Sequence, residues 1–569
     1  MNFCDRNVLP GRPLLLFLLT TLLSGCGQEV MQEAPAVATP ECLPVDDLLL
    51  VNGVIHTMDD VDAIVNSARI SGGRFVDVGN DIQPIGDCTE IIDLKGGTVV
   101  PGLIDNHNHI ILLGLRPGYD TRLENATSIP EVLATLGTRA EEVPRGEWIT
   151  AIGGFSINQF TAPPSPPRFP VLDELDEVVP DHPVYIQESF SGPGVTNSLG
   201  KAFFESHGIE IGDNGEVAGG QAPNPATQTL YALRQLQTPE DEIRGTVDAM
   251  AYAVGLGLTT HLDQGGFPLT GTDADGAANM DPYRSYHAIQ RLHQDQGMLA
   301  RVRINFLHME GDPATPQLRA RLDNVFPETG DDMLRVTGIG EFTAGTSPII
   351  FNATEEWLNG TRRVAEAGWR NENHSLFGND YQVIIDGWEQ VHNEIGGEGI
   401  SQLGWVVAHV PFITEEYADK LNNLGGGVSV LGGWRYITGT AEQNGPPFRM
   451  LAETGIPMGM SSDGMQISPM NPWLGLYYAV TGMNARGELI NKGQTLSRQE
   501  ALKLYTAANR WFLQEDDLGS IAPGMLADLV VLDRDYFDEA AVPDEDIKQV
   551  RSLMTLVGGR VVHGNPADL

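Results

Sequence analysis

His107 and His109 stand two residues apart in Pro101–Ile110, PGLIDNHNHI. Val99–Val100 close an apolar strand before them, Pro101-Gly102 turn the chain, and Leu103–Ile104 open a second short strand. Residues two apart on a strand face the same way, so the two imidazoles can reach a single metal ion. Taken alone, an H-x-H pair fits a polar rim or a satisfied core histidine equally well. The apolar strand, the Pro-Gly turn and the Ile-Asp step before it favour a ligand pair. Later groups of ligand type also close apolar or mixed runs: His374 ends GWRNENH, His409 ends LGWVVAH, and Asp463 follows IPMGMSS with Gly464 behind it. Each by itself is as compatible with a structural role as with a functional one. Their recurrence at strand ends points to a shared metal site.

The elements that must position them alternate. From Gly102 to Asp516, strand-like runs alternate with helical patterns, which argues for parallel α/β structure. Strand candidates are Leu103–His107, Leu258–Asp263, Arg301–Leu307, Val336–Phe342, Trp369–His374, Val406–His409 and Pro457–Ser461. Helices are expected at Thr414–Leu424 and Ser497–Phe512, the latter opened by a Ser497-x-x-Glu500 capping box. A (β/α)8 TIM-type barrel is the closed form of this alternation, and it collects active-site groups at the C-terminal strand ends. Residues 110–257 are too long for one crossover and imply an inserted lobe, with Pro-rich Ala162–Pro170 as an exposed loop. Both ends of the chain are β-rich. Leu48–Val51 and Val54–Met58 around Asn52-Gly53 read as a hairpin, as do Ala68–Ile70 and Phe75–Val78 around Gly72-Gly73. Leu526–Leu532 and Leu553–Val562 mirror them, with Gly558-Gly559 as the turn. Residues 46–101 and 517–569 are therefore expected to build a small β-sandwich domain from both termini, beside a barrel at 102–516.

The bulk properties narrow the function. The chain has 569 residues, and 76 Asp and Glu against 35 Lys and Arg leave a formal net charge of −41. That excludes nucleic acid as a partner, because phosphates demand a basic surface; an acidic, solvated surface is the expectation. Arg6 and Arg12 precede the apolar run Leu14–Leu23, which is short for a membrane span and reads as a targeting segment. It ends in Leu23-Ser24-Gly25-Cys26, which resembles a bacterial lipobox; an ordinary secretory signal with an incidental cysteine is the alternative. The lipobox reading removes residues 1–25, lipidates Cys26 and places the chain in the bacterial cell envelope, lipid-anchored at the outer membrane and facing the periplasm. Residues 26–45 then form a flexible tether. Cys42 and Cys88 remain in a compartment where disulfides persist, and are expected to pair.

Pro101–His109, His374, His409 and Asp463, in this order, resemble the amidohydrolase superfamily, in the branch called amidohydrolase 3 or YtcJ-like. The closing run LGSIAPGMLADLVVLD is similar to the composite β-domain of that superfamily, and the resemblance covers residues 46 to about 565. It implies one or two divalent ions, zinc by ligand type. His107, His109 and Asp463 would hold one ion, and His374 and His409 a second, or else they would steer the substrate. Relatives often bridge the pair with a carboxylated lysine, but no lysine lies between Lys201 and Lys420 here. Glu341, in VTGIGEFTAG, is expected to serve instead. A second departure is Ser191-Gly192 before Asn197-Ser198, where relatives often carry a Gly-His pair. Asn197, His261 and His308 are expected as weaker substrate-binding groups. Such a metal lowers the pKa of bound water from 15.7 to about 7. Asp463, with His409 beside it, would take the proton and pass it to the leaving nitrogen. The expectation is hydrolysis of the C–N bond of a small amide or cyclic amide. A lactone or carbamate ester, or a non-catalytic binding lipoprotein with a decayed site, are the alternatives. Oligomeric state is not legible.

Overall fold

The computed structural model describes residues 47–569 apart from 86–87, 164–165, 190, 222, 267–283, 346–351 and 465–466. The targeting segment, Cys26, the tether and Cys42 lie outside the described residues; Cys88 is disulfide-bonded. No helix among the described residues is long and apolar enough to cross a membrane.

Eight parallel strands form the central sheet: β1 (Leu103–Asn108), β2 (Leu258–Asp263), β3 (Arg301–Phe306), β4 (Leu334–Ile339), β5 (Arg370–Ser375), β6 (Val406–His409), β7 (Gly427–Leu431) and β8 (Met458–Ser461). Their residues are almost all buried, as expected of parallel strands covered on both faces. Helices wrap the outside. The helix Asp380–Ile395 buries Tyr381, Ile384, Ile385, Trp388 and Val391, an i, i+3, i+4 stripe, and the Trp388 and Trp405 rings meet at 5.0 Å. Burial of each such side chain is worth about 1.5–3 kcal/mol. The seven expected strands are present within three residues of their expected limits. The seventh barrel strand, GVSVL, was not expected: it is five residues long, carries a central serine and is bracketed by glycines on both sides.

The barrel closes in two ways. Towards its lower end the segment after Lys503 lies between β1 and β8. Tyr505 O accepts from Ile104 N at 2.7 Å, Leu504 O from Met460 N at 2.8 Å, and Asn509 Nδ2 donates to the carbonyls of both Ile104 and Met460. At the upper end the chain edges meet directly, with Asp463 N donating to His107 O and His109 N to Gly464 O. This corrects the single helix expected over Ser497–Phe512. The capping box is present, with Ser497 N donating to Glu500 Oε2 at 2.8 Å, but the helix runs only Arg498–Lys503 and resumes at Arg510–Leu513. The backbone between closes the barrel instead.

Between β1 and β2 the inserted lobe builds its own five-stranded sheet from Tyr119–Asp120, Ile149–Ile152, Val184–Gln187, Gly194–Thr196 and Glu216–Val217, with an apolar core around Val132, Leu136, Leu175 and Val184. Ala162, Pro163, Pro166 and Pro167 of the Pro-rich loop are exposed, whereas Pro170 at its end is buried. A further pair of sheets joins the two ends of the chain. Leu529–Leu532 runs antiparallel to Thr98–Pro101, and Leu50, Ile55, Phe75, Leu529 and Leu556 share one core. The hairpin expected around Asn52-Gly53 does not form. Asp47–Val51 pairs with Ser67–Ser71 and Glu90–Asp93 in a four-stranded sheet, whereas Val54–His56 pairs with Thr98–Pro101 and Ile64–Val65 in the six-stranded one. Asn52 does adopt a positive φ of 57°, but the turn carries the chain from one sheet to the other. A Cβ on Gly53 would stand 2.5 Å from Leu94 Cδ1 at this corner. The hairpins at Gly72-Gly73 and Gly558-Gly559 are as expected.

Candidate metal centre

The barrel brings six expected residues to one place. His107 lies on β1 and His109 follows it. Glu341 is two residues past β4, His374 lies on β5, His409 ends β6, and Asp463 is two residues past β8. His409 and Asp463 sit at φ values of +69° and +49°, backbone that side chains of L-residues rarely adopt, so the chain turns sharply where each group must face inward. All six are buried.

Their spacing is the informative quantity. His107 Nε2 is 3.5 Å from Glu341 and 3.7 Å from Asp463; His109 Nε2 is 3.4 Å and 3.3 Å from the same two carboxylates. His409 Nε2 is 3.6 Å from Glu341 and 3.8 Å from Asp463. The two His109 separations are at the long edge of hydrogen bonding, and the other four are too long for it. They match the edge of a tetrahedron of ligands about 2.1 Å from a central ion, which is roughly 3.4 Å. The Nε2 atoms of His107 and His409 are buried and have no hydrogen-bond partner among the described residues. Sealed imidazole nitrogens aimed at carboxylates beyond bonding reach are what a divalent cation between them would satisfy, so the residues present fit one. Two sets of ligand atoms are mutually close enough: His107, His109 and Asp463, and His107, Glu341 and His409. Glu341 turns Oε1 to His109 and Oε2 to His107, His374 and His409, with His374 Nδ1 nearest at 2.8 Å.

The electrostatics agree. Burial drives the His107 pKa down, but Glu372 and Glu341 override it and raise it to about 10. His109 is likewise raised against its burial, by Asp463 and Glu341. Burial would raise Glu341 and Asp463, yet the surrounding histidines pull both below the ordinary carboxylate range. The two carboxylates demand positive charge at this point and raise His107, His109 and His374, whereas burial outweighs them at His409.

Several supporting residues were not anticipated. Glu372 on β5 is fully buried, and the contact between its Oε1 and His107 Nδ1 is 2.6 Å. A proton on Nδ1 leaves Nε2 free as a ligand, so Glu372 sets the His107 tautomer. Arg370 and Asn305 hold its other oxygen at 3.3 Å and 3.4 Å. The sequence signal is the alternation Arg370, Glu372, His374, three groups on one strand face. Asp105 accepts from Ser462 N at 3.0 Å and so fixes the exit of β8 next to Asp463. Asp263 accepts from the backbone of Ile111 and Gly265, and burial lifts its pKa to about 6.

The weaker candidates separate. Asn197 is engaged inside the inserted lobe. It caps the helix Ser198–Ser206, accepting from Gly200 N and Val184 N and donating to His182 O. Its polar atoms are engaged within the inserted lobe, and it is fully buried. His261 pairs with Asn108 at 2.9 Å, and burial lowers its pKa to about 3, so it is neutral. His308 is also lowered to about 3 by burial, and its backbone N–H bonds Phe342 O beside Glu341. Among the described residues no hydrogen bond or ion pair joins either histidine to the six.

Comparison with known proteins agrees with this geometry. The chain is 24% identical to N-substituted formamide deformylase of Arthrobacter pascens over 90% of its own length and 97% of that protein. It is 22% identical to putative amidohydrolase YtcJ of Bacillus subtilis over 84% and 90%. Its fold matches an uncharacterized metal-dependent hydrolase from Pyrococcus horikoshii at a TM-score of 0.56 and 19% identity, covering 86% of this chain and 98% of that one. The model of the Amidohydrolase family, Amidohydro_3, matches residues 90–563, and the chain belongs to that family.

Proposed function

We propose that the chain hydrolyses the C–N bond of a small amide or cyclic amide, using one or two divalent ions, zinc by ligand type, held by His107, His109, Glu341, His374, His409 and Asp463. The carrying observation is the set of imidazole nitrogens 3.3 Å to 3.8 Å from Glu341 and Asp463, separations of ligands around an ion. When bound, such an ion polarises a carbonyl and makes water nucleophilic near neutral pH. Asp463 is the proton carrier. His409 and His109 keep its carboxylate ionised, so it can take a proton from the attacking water and return it to the departing nitrogen. Glu372 holds the His107 ring, and Glu341 faces both ligand sets as a bridging carboxylate would. The name of the Arthrobacter pascens relative, a deformylase of N-substituted formamides, supports an acylated amine as substrate class. Lactones and carbamate esters present the same carbonyl and are the second reading. A binding protein with a decayed site is disfavoured by the complete ligand set.

The proposal extends to location. Cys26 would carry a lipid and anchor the mature chain at the outer membrane, facing the periplasm, and Cys88 would pair with Cys42. Intact-mass analysis of membrane-extracted protein tests both; a soluble mature form without an acyl mass would refute the anchor. For the activity, metal content of the purified chain by plasma emission comes first, followed by a screen of N-acylated amines, cyclic amides and lactones. At least one equivalent of metal and turnover of an amide are expected. A metal-free protein, or one that cleaves lactones and no amide, would overturn the reading.

A further inference from the structure

Arg435 is a buried charge without a counter-charge among the described residues. It lies on the helix Gly432–Thr438, which leaves β7 directly, and is 2% exposed. Three other buried arginines meet carboxylates: Arg301 meets Asp528 at 2.7 Å, Arg370 meets Glu372 at 3.3 Å and Arg498 meets Asp544 at 2.7 Å. Among the described residues no hydrogen bond or ion pair reaches the Arg435 guanidinium, and its Nε is sealed from solvent without an acceptor. What surrounds it is aromatic and neutral. The guanidinium carbon lies 4.2 Å from the centre of the Trp434 ring and 5.3 Å from that of Phe412. Tyr478 is nearby, but burial keeps its phenol protonated, and the hydroxyl donates to Gly445 O at 2.8 Å. Burial lowers the Arg435 pKa only to about 10, so it is cationic at neutral pH. In a chain with a net charge of −41, acidic groups are abundant, yet none among the described residues pairs with it.

Its position is at the working end of the barrel. Phe412 follows the ligand His409 by three residues, and His409 pairs in register with Val430 of β7. A Cβ on Gly433, in the first turn of the same helix, would stand 3.2 Å from Pro469, on the segment that follows Asp463. Arg435 thus lies among the segments leaving β6, β7 and β8, two of which carry ligands. Rings stacked on a guanidinium restrict it while leaving its N–H edge available, and that edge fits a carboxylate two-pronged. A desolvated cation without a partner is costly to the free protein, and a ligand that supplies the anion recovers that cost.

We propose that Arg435 receives a carboxylate borne by the substrate, so that the enzyme acts on N-acylated compounds carrying an acid group beside the scissile C–N bond. This rests on the hydrolase reading above and names its substrate class.

The test uses the full metal-loaded chain and a matched pair of probes, N-acetylphenylalanine and N-acetylphenethylamine, which differ by the carboxylate. Removing one partner of a buried charge pair weakens binding by about 30-fold or more. R435M should therefore reduce the acid-to-amine ratio of kcat/KM by about 30-fold, chiefly through KM for the acid. R435K keeps the charge but not the fork, and should fall between. An unchanged ratio, with both probes losing activity in parallel and the melting temperature falling, would assign Arg435 a structural role and overturn the inference. Calorimetric titration with 3-phenylpropanoate separates this from the hydrolase reading, because it needs no turnover. If neither amide is hydrolysed, binding to the wild type and loss in R435M still support Arg435. Equal binding by both proteins, or none by either, sinks it.

Discussion

The two ends of the barrel treat buried charge in opposite ways. At the lower end Arg301 and Arg303, both on β3, are fully paired. Arg301 grips Asp528 with two contacts of 2.7 Å and 2.9 Å, and Arg303 holds Glu515 by its Nη2 at 2.9 Å and by its Nε. At the upper end the histidines and carboxylates stand 3.3 Å to 3.8 Å apart, with orphaned nitrogens and left-handed backbone at His409 and Asp463. One end completes its own electrostatics; the other leaves them for an ion and a substrate. The same fold therefore separates a stability face from a working face along a single set of strands.

Four substitutions would break or sharpen this contrast. Asp463→Asn at the upper end should lower turnover of an identified amide by roughly 10²–10⁴, with the melting temperature of the metal-loaded protein nearly unchanged. Wild-type turnover in that variant would remove Asp463 as the proton carrier. Arg303→Met at the lower end should do the reverse. It takes from the buried Glu515 its two nearest contacts and leaves only Arg335 at 3.4 Å, costing up to about 3–5 kcal/mol of stability, while activity per folded molecule is retained; an unaltered denaturation midpoint would show that the pair carries no such load. Glu372→Gln lies between the two ends, and should weaken metal affinity by roughly 10–100-fold through the loosened His107 ring. Competition against a chromophoric chelator reads this directly, and an unchanged constant would count against the tautomer argument.

The smallest effect should come from Glu124, which joins the inserted lobe to the segment after β8 through Asn471 N at 3.1 Å. Burial lifts its pKa to about 7, against the pull of Asn471 and the nearby arginines. A carboxyl raised in the folded state binds its proton more tightly there than in the unfolded chain. Stability from this group is therefore full below about 4.5, declines as pH rises to about 7, and is flat beyond that. Glu124→Gln should remove the decline, so its melting temperature relative to the wild type should improve by a few degrees between about pH 5 and pH 8. Parallel pH profiles for the two proteins would refute the assignment.

Much of the site was legible because strand ends announce themselves locally. His374 and His409 close runs whose apolar character marks them as strands, and the H-x-H spacing states a shared face without reference to anything distant. Glu341 was expected from the family resemblance, which calls for a carboxylate on that strand where no lysine is available. Glu372 escaped notice because its partner His107 is 265 residues away and nothing local distinguishes it from a polar strand residue. The strand Gly427–Leu431 was hidden by its flanking glycines, and the bonds that tie Asn197 to its helix became visible only in the structure. The turn at Asn52-Gly53 was read correctly as a turn and wrongly as a hairpin, because turn chemistry is local and the choice of sheet is not.

The order of elements, the period of each, and the residue types delivered to strand ends are properties of the sequence itself, since they depend on side-chain direction and hydrogen bonding over a few neighbours. Tertiary structure alone decided that five of those groups meet within ligand distance while His374 bonds Glu341 beside them, that the segment after Lys503 breaks its helix to seal the barrel, and that Arg435 is buried among aromatic rings with no acid paired to it among the described residues. These outcomes depend on how strands far apart in the chain are staggered and closed, and on which charges the closed barrel can no longer hydrate.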